Sequence, residues 1–186
     1  MSRIPTPASI EAAPEAAQPL LAAVHKQLGV VPNMFRLIAN SPTGLEGYLG
    51  LNGALGKGTL EPKTRGRIAL AVAEVNGCDY CLSAHTYLGK NLSKLSDAEM
   101  AANRDGGSTE EKADAAVRFA VKVAQSRGHV SEADVQAVKA AGYTDAQVIE
   151  IVLHVALNTL TNYINETLKT EIDFPVVTAN AARKAA

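Results

Sequence analysis

Residues 68–90 read IALAVAEVNGCDYCLSAHTYLGK, and this stretch decides the fold. It opens with an apolar, alanine-rich run that Pro62 introduces at a helix first turn, where a missing N–H costs nothing. Asn76-Gly77 ends that helix, and a second one begins at about Cys78. Helical spacing then sets Cys78, Cys81 and His85 on one face, at i, i+3 and i+7.

Helical patterns continue in both directions. Leu20, Leu21, Val24 and Leu28 recur at helical spacing from Pro19. Met34, Phe35, Leu37 and Ile38 start a short helix that Asn40-Ser41-Pro42 ends. Another helix runs from about Thr43 to Leu55, with Leu45, Tyr48, Leu49 and Leu51 inward. On the C-terminal side, Ser96-Asp97-Ala98-Glu99 has the form of a capping box. Thr109, Ser131 and Thr144 are N-caps for three further helices, the last being DAQVIEIVLHVALNTLTNYINETLK. No strand pattern occurs, so the expected architecture is an all-α bundle. Residues 1–18, rich in proline and alanine, form an extended N-terminal arm. Residues 19–176 are one helical domain with its CxxC core at about 60–95, and residues 177–186 a loose tail.

Composition narrows the function. Of 186 residues, 47% are hydrophobic and 20% charged, and the formal net charge of −1 offers no footprint for nucleic acid. The N-terminus MSRIPTPASIEAAPEAAQPL lacks an apolar core of signal-peptide length, and no stretch approaches a membrane span; the expected address is the cytoplasm. In a reducing compartment, two cysteines three apart point to redox chemistry or metal binding rather than to a structural disulfide.

The redox reading is concrete. A thiolate attacks a peroxide O–O bond and becomes a sulfenic acid, and the neighbouring thiol condenses with it. His85 would manage the proton; positions 74, 78, 81 and 85 would share one face of an unbroken helix, and after a modest kink at Asn76-Gly77 Glu74 would still sit near the cysteines to orient His85. Helix-terminus physics favours Cys78 as the more acidic thiol, whereas proximity to His85 favours Cys81. The rival is zinc, with Cys78, Cys81, His85 and Glu74 as a possible ligand set; the redox reading needs neither metal nor cofactor. On the last helix, His154, Asn158, Asn162 and Asn165 form a polar stripe with Thr161 beside it, read as a hydrogen-bonded structural seam, a subunit interface or one wall of the site. Apolar positions surround nearly all of that helix, which points to burial inside an oligomer.

The N-G-C-x-x-C-x-x-x-H pattern, here Asn76 to His85, after an apolar helix resembles the core of the AhpD-like alkylhydroperoxidases. These lie within the carboxymuconolactone decarboxylase superfamily. The segments VPNMFRLIANSP, NYINE and IDFPVV resemble its longer, peroxidase-related members. The resemblance implies an all-helical, homo-oligomeric thiol peroxidase (dimer, trimer or hexamer) that reduces hydroperoxides and is recycled by an external dithiol. It assigns peroxide attack to Cys81, resolution to Cys78 and the histidine role to His85. One departure stands out: the glutamate that many members carry twelve residues before the first cysteine is Gly66 here. The superfamily's non-redox lactone decarboxylase chemistry and a zinc-binding or redox-sensing module are the alternatives.

Overall fold

The computed structural model describes residues 1–180. Among these there are nine α-helices and no strand. They are α1 (Gln18–Leu28), α2 (Asn33–Ile38), α3 (Pro42–Leu55), α4 (Pro62–Val75), α5 (Asp79–Asn91), α6 (Asp97–Arg104), α7 (Glu111–Gln125), α8 (Glu132–Ala140) and α9 (Asp145–Leu168). A single 3-10 turn, Glu15–Ala17, precedes α1.

α4 is the central post. It packs against α5, α6, α7 and α9, and every residue from Arg67 to Glu74 is buried. Alternating alanines (Ala69, Ala71, Ala73) let neighbouring helices approach its axis closely, while Ile68, Leu70 and Val72 fill the gaps. Two apolar clusters result. One gathers Leu21, Leu45, Leu70, Leu82 and both cysteines; the other gathers Ile68, Val72, Phe119, Ala120 and Ile151.

Several helix boundaries follow from local chemistry. Ser131 and Thr144 form full capping boxes with Asp134 and Gln147. Asn76 closes α4, and Gly77 takes φ +65°, a conformation that favours glycine, to turn the chain into α5.

Two expected caps are built differently. Ser96 does cap α6 by accepting from the Glu99 N–H, but the Glu99 carboxylate does not return to Ser96. It turns inward to Arg67 Nε at 2.7 Å, a guanidinium only 1% exposed. Thr109 does not cap α7, whose N-cap is Glu110; the Thr109 N–H and hydroxyl both donate to Glu99. A buried ion pair persists only when its remaining lone pairs are satisfied, and Asn103 and Ser108 supply the other donors. The demand of that buried charge overrides both caps.

The termini also differ from expectation. The N-terminal arm is irregular, yet Ala13 and Ala17 are buried in the first cluster. The tail is not loose at residue 177. The Val177 N–H donates to Ser83 Oγ, the Ala179 N–H to Asp79 Oδ1 and the Asn180 N–H to Glu74 Oε1, while Arg104 Nη2 donates to the Thr178 carbonyl. Residues 181–186, the rest of the expected tail, lie outside the described residues.

Among the described residues no helix is long and apolar enough to cross a membrane. The outer side of α9 nevertheless exposes Ile149, Val152, Leu153, Leu160 and Tyr163.

Candidate active site

Cys78 is the N-cap of α5, and its Sγ accepts the Cys81 N–H at 3.3 Å. This folds the two side chains onto each other. The Cys78 thiol donates to Cys81 Sγ across 2.7 Å, well beyond the ~2.05 Å of a disulfide, and both cysteines are free and buried.

α9 supplies the other side of the site. Asn165 Nδ2 donates to Cys81 Sγ at 3.2 Å. Asn162, one turn earlier, is held by Asn76 Nδ2 donating to its Oδ1 at 2.8 Å. Asn76 therefore ends α4 and also orients a residue of the site.

These contacts separate the two thiols. Burial opposes ionisation of Cys81, but donation from Cys78, with help from Asn165 and Asn162, outweighs it and lowers its pKa. Cys78 moves the other way, because its proton is committed to Cys81 and because it is buried. The Glu166 charge works against ionisation of both. No cation is among these causes: the groups that favour ionisation of Cys81 are neutral donors, together with the first turn of α5.

His85 sits one turn beyond Cys81 on α5. Burial pushes its pKa down to about 4, against a hydrogen bond with Asn158 that favours the charged form, so the ring is neutral at physiological pH. The expected partner, Glu74, is fully buried on α4 with both oxygens engaged: Oε2 accepts from Arg104 Nε and Oε1 from the Asn180 N–H, each at 2.7 Å. Gly66 faces Ser93, with 3.8 Å between the Ser93 hydroxyl and the point a Cβ would occupy. Among the described residues no three His, Cys, Asp or Glu side chains converge in an arrangement that would hold a metal ion. The zinc ligand set is thus not assembled, as Glu74 is turned to Arg104.

The polar stripe on α9 divides. Asn162 and Asn165 belong to the cysteine site, and Asn158 bears on His85. His154 is buried among Arg65 and Glu150, with Nε2 unpartnered. Sequence spacing revealed the stripe but not which end meets the sulfurs. Two clefts open among the helices, the first of them lined by Asn165. One, of about 860 Å³, is lined by Asn76, Asp79, Tyr80, Asn165, Glu166 and Lys169. The other, of about 450 Å³, is apolar, with Ile38, Tyr48, Leu51, Leu157 and Ile164 on its walls.

The segment after α9 braces the site. The Tyr80 hydroxyl accepts the Met34 N–H and donates to Asp173 Oδ1 at 2.9 Å, and Asp173 Oδ2 accepts the Asn33 N–H. Phe174 packs edge-on against Tyr80. The IDFPVV stretch thereby fixes the first turn of α5, where the cysteines sit.

Residues 42–118, from the start of α3 into α7, match the carboxymuconolactone decarboxylase family. The match takes in the CxxC segment and the helices on either side of it. The chain's solved neighbours include an alkylhydroperoxidase AhpD core, an uncharacterized peroxidase-related protein from Ralstonia eutropha JMP134, at 28% identity and TM-score 0.82, covering 92% of each chain. A peroxidase-related protein from Silicibacter sp. TM1040 aligns at 22% identity and TM-score 0.78, covering 98% of this chain and 93% of its own. The debrominase Bmp8, in complex with 2,3,4-tribromopyrrole, aligns at 20% identity and TM-score 0.77, covering 100% and 97%. No curated protein matches the chain. The last two likenesses establish the shared AhpD-like fold, not a shared reaction.

Proposed function

We propose that this AhpD-like protein is a thiol-dependent peroxidase acting through a Cys78/Cys81 dithiol–disulfide cycle. The observation that carries the reading is the 2.7 Å contact between two free thiols whose acidities are driven apart, Cys81 down and Cys78 up. Cys81 thiolate attacks the terminal oxygen of a hydroperoxide, the O–O bond breaks, and an alkoxide leaves and takes a proton. Cys81 is then a sulfenic acid. The Cys78 thiol condenses with it, its hydrogen leaving with the sulfenic hydroxyl as water, and the disulfide forms. An external dithiol restores the two thiols.

Intact mass and free-thiol counts, before and after one equivalent of organic hydroperoxide, test this. The expected result is loss of two hydrogens and of both thiols, with a trappable sulfenic acid on Cys81 in Cys78→Ser. Thiols that survive excess peroxide would overturn it. A second reading, thiol-driven removal of a halogen from an activated ring, would use the same pair of free thiols; the debrominase Bmp8 shares the fold. Bromide release from tribromopyrrole under the same conditions, without peroxide turnover, would favour that reading. The exposed apolar side of α9 is a face for a second copy of the chain, and sedimentation of the purified protein checks it.

A further inference from the structure

Beside the Cys81 sulfur, one buried oxygen has no hydrogen-bond partner. Asn165 is 2% exposed, and its Nδ2 donates to Cys81 Sγ at 3.2 Å. Its Oδ1 accepts no hydrogen bond among the described residues. Buried acceptors are nearly always satisfied, so an unsatisfied one next to a reactive sulfur points to a ligand. The neighbouring donors are directed elsewhere. The Cys78 thiol and the Asn162 amide serve Cys81, and Asn76 Nδ2 serves Asn162 Oδ1.

Covalent geometry fixes where that oxygen lies. Oδ1 and Nδ2 share one amide carbon, so Oδ1 cannot stray from the atom that touches the sulfur. Asn165 also lines the cleft of about 860 Å³, together with Asn76, Gly77, Asp79 and Tyr80 on either side of Cys78 in sequence. The apolar cleft is lined by neither Asn165 nor any of these residues. Thr170, in the same wall as Asn165, donates its N–H to the Asn165 carbonyl at 3.1 Å and carries a second buried, unpartnered oxygen, Oγ1. Cys81 is itself 3% exposed, so an opening that admits an oxidant to its sulfur also admits it to the amide bonded to that sulfur.

We propose that Asn165 binds the substrate in the peroxide step: its Oδ1 accepts the O–H of a hydroperoxide while its Nδ2 holds the Cys81 sulfur, and the body of the hydroperoxide lies in the polar cleft. The inference rests on the peroxidase reading and deepens it, giving the site a substrate contact and a substrate class. A hydroperoxide carries one hydrogen-bond donor, on the terminal oxygen, which is the atom the sulfur attacks. One amide thus holds nucleophile and electrophile together. The S–O bond forms, the O–O bond breaks, and its electron pair leaves on the inner oxygen as an alkoxide that takes a proton from solvent. The terminal oxygen keeps its hydrogen and becomes the sulfenic hydroxyl. That hydroxyl is the more acidic donor, so its bond to Oδ1 strengthens as the reaction proceeds.

The test compares an electrophile that has an O–H with one that has none. Wild type and Asn165→Ala are each reacted with hydrogen peroxide and with methyl methanethiosulfonate, at a pH where Cys81 is ionised in both proteins. Either reagent ends in the same Cys78–Cys81 disulfide. Peroxide passes through the sulfenic acid. The thiosulfonate leaves a methyl disulfide on Cys81 as methanesulfinate departs, and Cys78 then displaces methanethiol. Loss of free thiols therefore follows both reactions. The expected result is a reaction of Asn165→Ala with hydrogen peroxide about tenfold slower or more, and a change of less than about threefold with the thiosulfonate. Asn165→Leu, which keeps the side chain's shape, should give the same contrast, and the thiosulfonate rate reports that each variant is folded with a competent thiolate. Equal changes with both reagents would limit Asn165 to holding the sulfur and overturn the proposal, as would an unaltered peroxide rate.

Substrate class gives a second reading without a variant. Relative to a small free thiolate reacting with the same oxidant, the wild type should favour hydrogen peroxide over linoleic acid hydroperoxide by about tenfold or more. The reverse preference would put the substrate in the apolar cleft and overturn the proposal. Wild-type Cys81 that reacts with the thiosulfonate but with neither peroxide would instead bring down the peroxidase reading, and this inference with it.

Discussion

Asn165 Nδ2 lies 3.2 Å from Cys81 Sγ and donates to it from a different helix, three turns from the polar residue that begins the stripe. Hydrogen bonds to a charged acceptor contribute about 1.5–3 kcal/mol, and one pKa unit corresponds to about 1.4 kcal/mol. Asn165→Ala should therefore raise the Cys81 pKa. The pH dependence of iodoacetamide labelling in Cys78→Ala and Cys78→Ala/Asn165→Ala reads this directly. An unchanged midpoint would mean that the amide only packs against the sulfur.

Glu74 offers a contrast between anchoring and proton relay. Its oxygens are taken by Arg104 and the Asn180 backbone, so Glu74→Gln should break a buried ion pair and cost about 3–5 kcal/mol of stability. Peroxide turnover per folded molecule should change little, because the carboxylate has no contact with Cys81 or His85 among these bonds. Thermal unfolding and stopped-flow oxidation at a temperature where the variant is folded separate the two effects. A stable variant with lost turnover would restore the relay role.

Much of this arrangement was legible in the sequence, and the limits are physical. Pro62, Asn76-Gly77, Ser131 and Thr144 act through neighbours a few residues away, so they mark helix boundaries without tertiary information. The i, i+3, i+7 spacing of Cys78, Cys81 and His85 is equally local. Glu99 is different: its partner Arg67 lies thirty-two residues back, and only burial forces the carboxylate to leave the cap and draw Thr109 with it. Asn165 meets Cys81 across eighty-four residues, a contact that periodicity on α9 could suggest but not place. The docking of Val177, Ala179 and Asn180 depends on backbone N–H groups, which leave no signature in residue type.

Two histidines, the half-buried His85 and the buried His154, set the acid behaviour of the fold. Burial, chiefly, holds both His85 and His154 near pKa 4, below the ordinary value of 6.5. The folded state therefore binds fewer protons than the unfolded chain between those values. Stability from neutral imidazoles is fully present above about pH 6.5 and falls as pH drops through about 4. Urea midpoints should decline across that window, and His154→Gln should flatten the decline. An unaltered slope in His154→Gln would show that its ring reaches solvent when it titrates.

Tyr80 ties the first turn of α5 to both α2 and the final segment, since its hydroxyl accepts the buried Met34 N–H and donates to Asp173. Tyr80→Phe keeps the ring against Phe174 but leaves the Met34 N–H without its partner, a loss of about 1–3 kcal/mol. Asp173 would retain only the Asn33 N–H, so the strap that ends in Val177 and Ala179 should open more often. Amide exchange at Val177 and Ala179 should quicken by about tenfold or more, beyond any change at Ile68 or Val72 in the middle of α4. Faster exchange at all four sites alike would mean that the hydroxyl stabilises the whole fold; a selective increase at the strap would show that Tyr80 joins it to the cysteine helix.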